Sequence, residues 1–231
     1  IGGIFLRQQA HSNSPLLDLK LFTHNRGVAT AAGSAFLMYC GTFGVGFLLS
    51  LYLQYGRGLN PQQAGIILLA QPVAQVLVAG YAGRLSDRID PRWLTTLGLL
   101  CCAVGILIIM PIGETDMPLF ALVGLTLTGI GIAAYSAPNT HAAMGAVGKR
   151  QLGVAAGILQ TSRLVGQMIS LGIPIMLFSL LLEQQANLAD TDPAQLLTII
   201  YIAFTAFAGL NSLAGIISWM RPTTLAAGSS K

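Results

Sequence analysis

The sequence predicts an all-α membrane protein, a six-transmembrane-helix bundle, and three observations predict it. The chain has 231 residues, 54% of them hydrophobic, and only 9% are charged, against roughly a quarter in an average soluble domain. Its few charges are clustered, leaving six apolar runs of 21 to 32 residues that are interrupted once, at Arg163. The basic residues also crowd into alternate connections between those runs.

The runs are Gly27 to Gly56, Gly58 to Gly83, Trp93 to Gly113, Met117 to Gly148, Gln151 to Leu182 and Pro193 to Met220, together 169 of 231 residues. Each exceeds the ~20 residues needed to cross a hydrocarbon core of ~30 Å. They predict helices over 28–55, 61–83, 92–112, 117–147, 152–182 and 194–220, forming one domain over 27–221. A transmembrane barrel would instead show alternating segments of about ten residues. Proline marks four starts, at Asn60-Pro61, Asp90-Pro91, Met117-Pro118 and Asp192-Pro193, because the first helical turn has no use for the missing N–H. Pro72, Pro138 and Pro174 fall inside the second, fourth and fifth runs, where each removes a backbone bond and favours a kink.

Ahead of the bundle, Ile1 to Leu6 reads as the end of an upstream apolar helix, and the rest of 1–26 as a cytoplasmic linker with an interfacial stretch at Leu16 to Phe22. Residues 222–231 read as a cytoplasmic tail. Ten of the twelve Lys and Arg residues lie in the two ends and in the second-to-third and fourth-to-fifth connections. The positive-inside rule therefore places both ends and those connections in the cytoplasm. Orientation accounts for the net charge of +4 without a nucleic-acid partner, which would need a basic soluble surface. Cys40, Cys101 and Cys102 sit inside spans and read as packing residues, with no metal or disulfide pattern. No cofactor and no catalytic constellation is expected.

A shift of 92 positions aligns Ala64–Gly80 with Ala156–Gly172 at six identities in 17. Chance competes with ancestry in so biased a composition, but the two segments enter the bilayer from opposite sides, which makes a real match an inverted repeat. The shift pairs Gln71 with Arg163. At ~1.5 Å per residue Arg163 lies about 16 Å into its helix, near mid-membrane. Either it faces a wet cavity or a partner, or the helix starts deeper and the side chain snorkels. Gln160, Arg163 and Gln167 share one face, and Gln71 and Gln75 form a second stripe. Such stripes line a polar pathway or glue helices together. Asn139 joins them as a pathway or gating candidate, with Gln54 and Asn211 as further polar residues in spans and His141 at an interfacial position. Gly41, Gly44 and Gly46 in the first run, and Gly124, Gly129 and Gly131 in the fourth, suit close helix approach.

The second-to-third connection reads Gly83-Arg84-Leu85-Ser86-Asp87-Arg88-Ile89-Asp90-Pro91-Arg92. This resembles the major facilitator signature G-x-L-[AS]-D-R-x-G-[RK]-[RK], with Asp90-Pro91 in place of the usual Gly and first basic residue. The resemblance implies a cytoplasmic latch made by Gly83, Asp87, Arg88 and Arg92, in a major facilitator half of two inverted triplets. Pro15 to Phe22, Leu51 to Gln54, Gly129 to Gly131 and Gly153 to Gly166 are similar to the last six spans of fourteen-span drug:proton antiporters of the EmrB/QacA type. That similarity implies a bacterial inner-membrane exporter of lipophilic or amphipathic compounds, proton-driven, working by alternating access with an N-terminal half of the same transporter. Its partners would be that half, the lipid bilayer, a small-molecule substrate and protons. No Asp or Glu falls inside the six spans, so a coupling carboxylate is expected outside them. Uptake of an organic anion or metabolite, with Arg163 as the charge-complementary ligand, is the competing transport reading, and a non-transporting scaffold is a third.

Overall fold

The computed structural model describes residues 25–86, 88–113, 119–181 and 193–221, and among these residues every regular element is helical. The expectations for 1–24, Asp87, Met117-Pro118, Glu183 to Asp192 and 222–231 lie outside the described residues.

The first span is α1 (Arg26–Cys40) and α2 (Phe43–Leu51) followed by a π-turn, Tyr52–Gly56. The second is α3 (Pro61–Leu68) and α4 (Ala70–Ser86). The others are α5 (Pro91–Ile109) with a 3-10 turn at Met110–Gly113, α6 (Leu119–Gly145), α7 (Leu152–Leu181) and α8 (Pro193–Trp219). All six spans are long and apolar enough to cross a membrane.

Local chemistry sets the ends. Asn25 caps α1 by accepting from the Gly27 and Val28 amides, and its own amide reaches the Ala146 carbonyl beyond α6. Asn60 and Gln63 make a reciprocal capping box ahead of Pro61. Asp90 accepts from the Arg92 amide, with Pro91 in the first turn of α5. The departure at Asp90-Pro91 is thus a helix-start signal, and the connection closes with a cap in place of a glycine turn. Gly83 to Ser86 belong to the last turn of α4, and Pro91 and Arg92 to the first turn of α5.

Two spans predicted as continuous are broken. Pro72 cannot donate to the Leu68 carbonyl, and the chain makes a turn at Leu69 between α3 and α4. The break in the first span, at Gly41–Thr42, has no proline. Neighbours stabilise it. Asn211 of α8 donates to the Gly41 carbonyl at 2.8 Å and accepts from Thr42 Oγ1, while Ser170 of α7 accepts the Gly44 amide at 2.7 Å.

Packing follows the glycines. α5 and α6 run antiparallel with Gly98 against Gly131 and Gly105 against Gly124, where an added Cβ would lie 2.5–2.7 Å from the opposing carbonyl. Gly129 seats α6 on the Gln71 carbonyl, and a Cβ at Gly166 of α7 would come within 2.5 Å of the Phe36 carbonyl on α1. Gly41 and Gly44 are also tightly enclosed, but Gly46 faces open space. The middle span of each triplet packs on the first span of the other, α4 on α6 and α7 on α1, as expected of two inverted triplets exchanged by a pseudo-two-fold axis.

Bulky side chains fill one half of the bundle, around Leu48, Ile109, Leu125, Phe204 and Phe207. Towards the basic end the core changes to Ala31, Ala32, Ala35 and Ala143 with Leu159. Lipid tails are as apolar as leucine, so close backbone approach and buried polar links, rather than escape from water, fix this arrangement.

Candidate functional site

Arg163 occurs on the twelfth residue of α7, where that helix crosses α1 and α6. Its Nη2 donates to Thr140 Oγ1 at 2.8 Å, and its guanidinium carbon lies 5.8 Å from the centre of the Tyr39 ring. Its Nε is buried without a partner. Thr140 also donates to the Ser136 carbonyl one turn back, which fixes the hydroxyl oxygen as an acceptor for the arginine. Arg163 is therefore packed between helices and only half-buried, an arrangement in which it keeps donors for another group.

The remaining stripe residues are less enclosed. Gln160 is exposed and Gln167 half-buried on α7, and Gln71 and Gln75 are half-buried on α4. These two helices belong to the least covered spans of the bundle: 11% of the apolar window of the second and 17% of the fifth are buried, against 44–56% for the other four. Both polar stripes thus lie on the two spans that the bundle leaves open.

Asn139 occupies a different environment. It is fully buried and donates to the Ala31 carbonyl at 3.1 Å, while its Oδ1 accepts from Ser34 and from Arg221 Nη2. Ser34 and Tyr135 share a 2.9 Å hydroxyl bond beside it. Asn139 therefore ties the first, fourth and sixth spans together, while Thr140, the next residue, holds Arg163 of the fifth. Arg221 turns back under the bundle and is 2% exposed. Burial holds its guanidinium below the usual arginine value, with Tyr135 and Asp90 acting in the opposite sense.

At the signature, Arg92 Nη2 donates to the Trp219 carbonyl at 2.6 Å and its guanidinium lies 5.1 Å from a Trp219 ring centre. Trp93 meets Trp219 edge-on at 4.7 Å. These contacts dock the start of α5 on the end of α8. Arg88 is exposed, and among the described residues nothing lies within 4 Å of a would-be Cβ at Gly83. Gln54 turns back to Ser50 on its own helix, and His141 is exposed at the basic end.

Sequence reasoning missed Tyr39, Thr140, Ser34 and Tyr135, which carry no charge and sit in apolar runs, and it read Arg221 only as an orientation signal. The polar residue Asn211 was visible, but not its role at the break in the first span.

The fold and its polar interior define a polytopic α-helical membrane protein of the transporter class. The chain belongs to the Major Facilitator Superfamily, whose sequence profile matches residues 31–229; its members are transporters and not enzymes. Over 196 residues it is 31% identical to the multidrug resistance protein Stp of Mycobacterium tuberculosis, covering 83% of this chain and 36% of that protein. It is 31% identical over 167 residues to the drug efflux pump JefA of the same species, covering 71% and 32%. It is 32% identical over 149 residues to the riboflavin transporter RibZ of Clostridioides difficile, covering 64% and 32%. The chain spans about a third of the length of the curated relatives it matches.

Proposed function

We propose that this chain is the C-terminal six-span half of a proton-driven exporter of lipophilic or amphipathic compounds, of the fourteen-span branch, working by alternating access in a bacterial inner membrane with both ends of the bundle in the cytoplasm. One observation carries the reading: the two polar stripes lie on the two spans with the most open faces. Unpaired amides and a guanidinium are costly against lipid, so that face meets a second half across an aqueous path. The names of Stp and JefA favour drugs as cargo. Within the path Arg163 offers a fixed positive charge beside the Tyr39 ring, and the proton-coupling carboxylate comes from outside the six spans.

The test is transport in vesicles containing the complete transporter. Arg163→Gln should lower cationic dye efflux at least tenfold, with Arg163→Lys intermediate. If dye efflux is unchanged while uptake of an organic anion collapses, the uptake reading replaces this one. The 231-residue chain alone should transport nothing, and accumulation of substrate by vesicles containing only this chain would refute the half-transporter assignment.

A further inference from the structure

We propose that the first span is a two-state hinge: Ser170 and Asn211 hold it broken at Gly41–Thr42, and when they let go α1 and α2 join into one continuous helix, swinging α2 away from the fifth and sixth spans.

The hydrogen bonds around the break amount to an exchange of partners. In a continuous helix the Gly44 amide would donate to the Cys40 carbonyl, and the Gly41 carbonyl would accept from Val45. Here Gly44 donates to Ser170 Oγ, Asn211 Nδ2 donates to the Gly41 carbonyl, and Val45 donates to the Thr42 carbonyl instead. Two side chains from distant spans thus stand in for the two backbone partners that the break removes. The reverse exchange strands no donor. Asn211 already bonds the Phe207 carbonyl on its own helix, and a serine hydroxyl inside a helix can donate to the carbonyl one turn back, here that of Gly166. Ser170 and Asn211 are fully buried, so water does not compete with either set of bonds.

The backbone allows the change. No proline lies between Arg26 and Asn60, and the largest departure from helical dihedrals at the break is about 65°, in φ of Thr42. Glycine admits the neighbours that hold the break: a Cβ at Gly44 would lie 2.5 Å from the Ser170 carbonyl, and one at Gly41 2.7 Å from the Phe207 carbonyl. α2 is the arm that moves. α1 is tied to α6 through Asn25, Ser34 and Asn139, whereas α2 beyond Gly44 is held by apolar packing, and among the described residues its face of Phe43, Gly46 and Phe47 is uncovered. Arg163, two turns before Ser170 on the same face of α7, lies over the Tyr39 ring, so the fifth span grips the first on both sides of the hinge. The inference rests on these bonds and stands apart from the transport reading.

The test uses the complete transporter in nanodiscs, with genetically encoded spin labels at Tyr55 and Leu119, exposed positions at the end of the bundle opposite its basic connections, and a control pair at Arg26 and His141. Electron–electron distances between 55 and 119 should fall into two populations, one of them matching the broken span, while the control pair gives one. Ser170→Ala should shift the balance away from the broken population at least about threefold, the worth of one interhelical polar bond. Gly44→Ala should empty that population, because its methyl group meets the Ser170 carbonyl; if Ser170→Ala misfolds by circular dichroism, Gly44→Ala decides. In Ser170→Ala the Gly44 amide should keep its hydrogen-exchange protection within about threefold, since the Cys40 carbonyl takes it over. A single 55–119 distance in wild type and both variants, loss of Gly44 protection by about tenfold or more in Ser170→Ala, or an equal spread in the control pair would each overturn the proposal.

Discussion

At the scale of single residues, the polar side chains inside the bundle divide into those that hold the helices and those that remain available. Asn211 is of the first kind, bonded to the carbonyls of Gly41 and Phe207 and to Thr42. Asn211→Leu removes a donor from the broken turn and should destabilise the chain by about 1–2 kcal/mol in a detergent unfolding titration. Arg163 is of the second kind. It has one hydrogen bond, to Thr140, and interhelical polar bonds in membranes average only about 0.6 kcal/mol. Arg163→Gln should therefore move stability by less than about 1 kcal/mol in the same titration, so that a transport loss in this variant reports on function and not on folding. The position of Arg163 could be read from sequence because a lone charge in an apolar run stands out. Its partners could not, since Tyr39 and Thr140 become polar neighbours only once helices from distant parts of the chain cross.

At the scale of elements, glycine pairs decide how closely the helices sit. Gly131→Ala puts a methyl group against the Gly98 carbonyl and should cost about 1–3 kcal/mol through overpacking. Gly46→Ala meets nothing within 4 Å and should be neutral or stabilising by up to about 1 kcal/mol, because alanine is the better helix former. Reversed signs in the unfolding titration would contradict the packing described here. Composition alone treats these two glycines alike; only the neighbouring helix tells them apart. The same limit applies to breaks. Pro72 announces one, while Gly41–Thr42 depends on side chains from α7 and α8 that stand far away in sequence.

At the scale of the whole molecule, six spans were legible because the bilayer imposes a length and excludes charge, and among the described residues the structure has six such helices. Their arrangement was only hinted at by the 92-residue repeat. Which end faces the cytoplasm is argued from ten basic residues and can be measured directly. Single cysteines placed at Lys149 and in the Glu183 to Asp192 connection should label from opposite sides of the membrane. Labelling from the same side would invalidate the orientation. Arg221 marks the limit of that whole-chain reading: counted among the loop charges it is one of ten, yet it lies buried beneath three spans.

The contact between Trp93 and Trp219 has a practical consequence. The protein contains two tryptophans, and both are in that contact, with the Arg92 guanidinium over one ring. Tryptophan emission of this chain therefore arises from a single corner, where the third and sixth spans meet. Separation of those spans should change the colour and intensity of that emission, giving an optical gauge of this one junction without any attached dye.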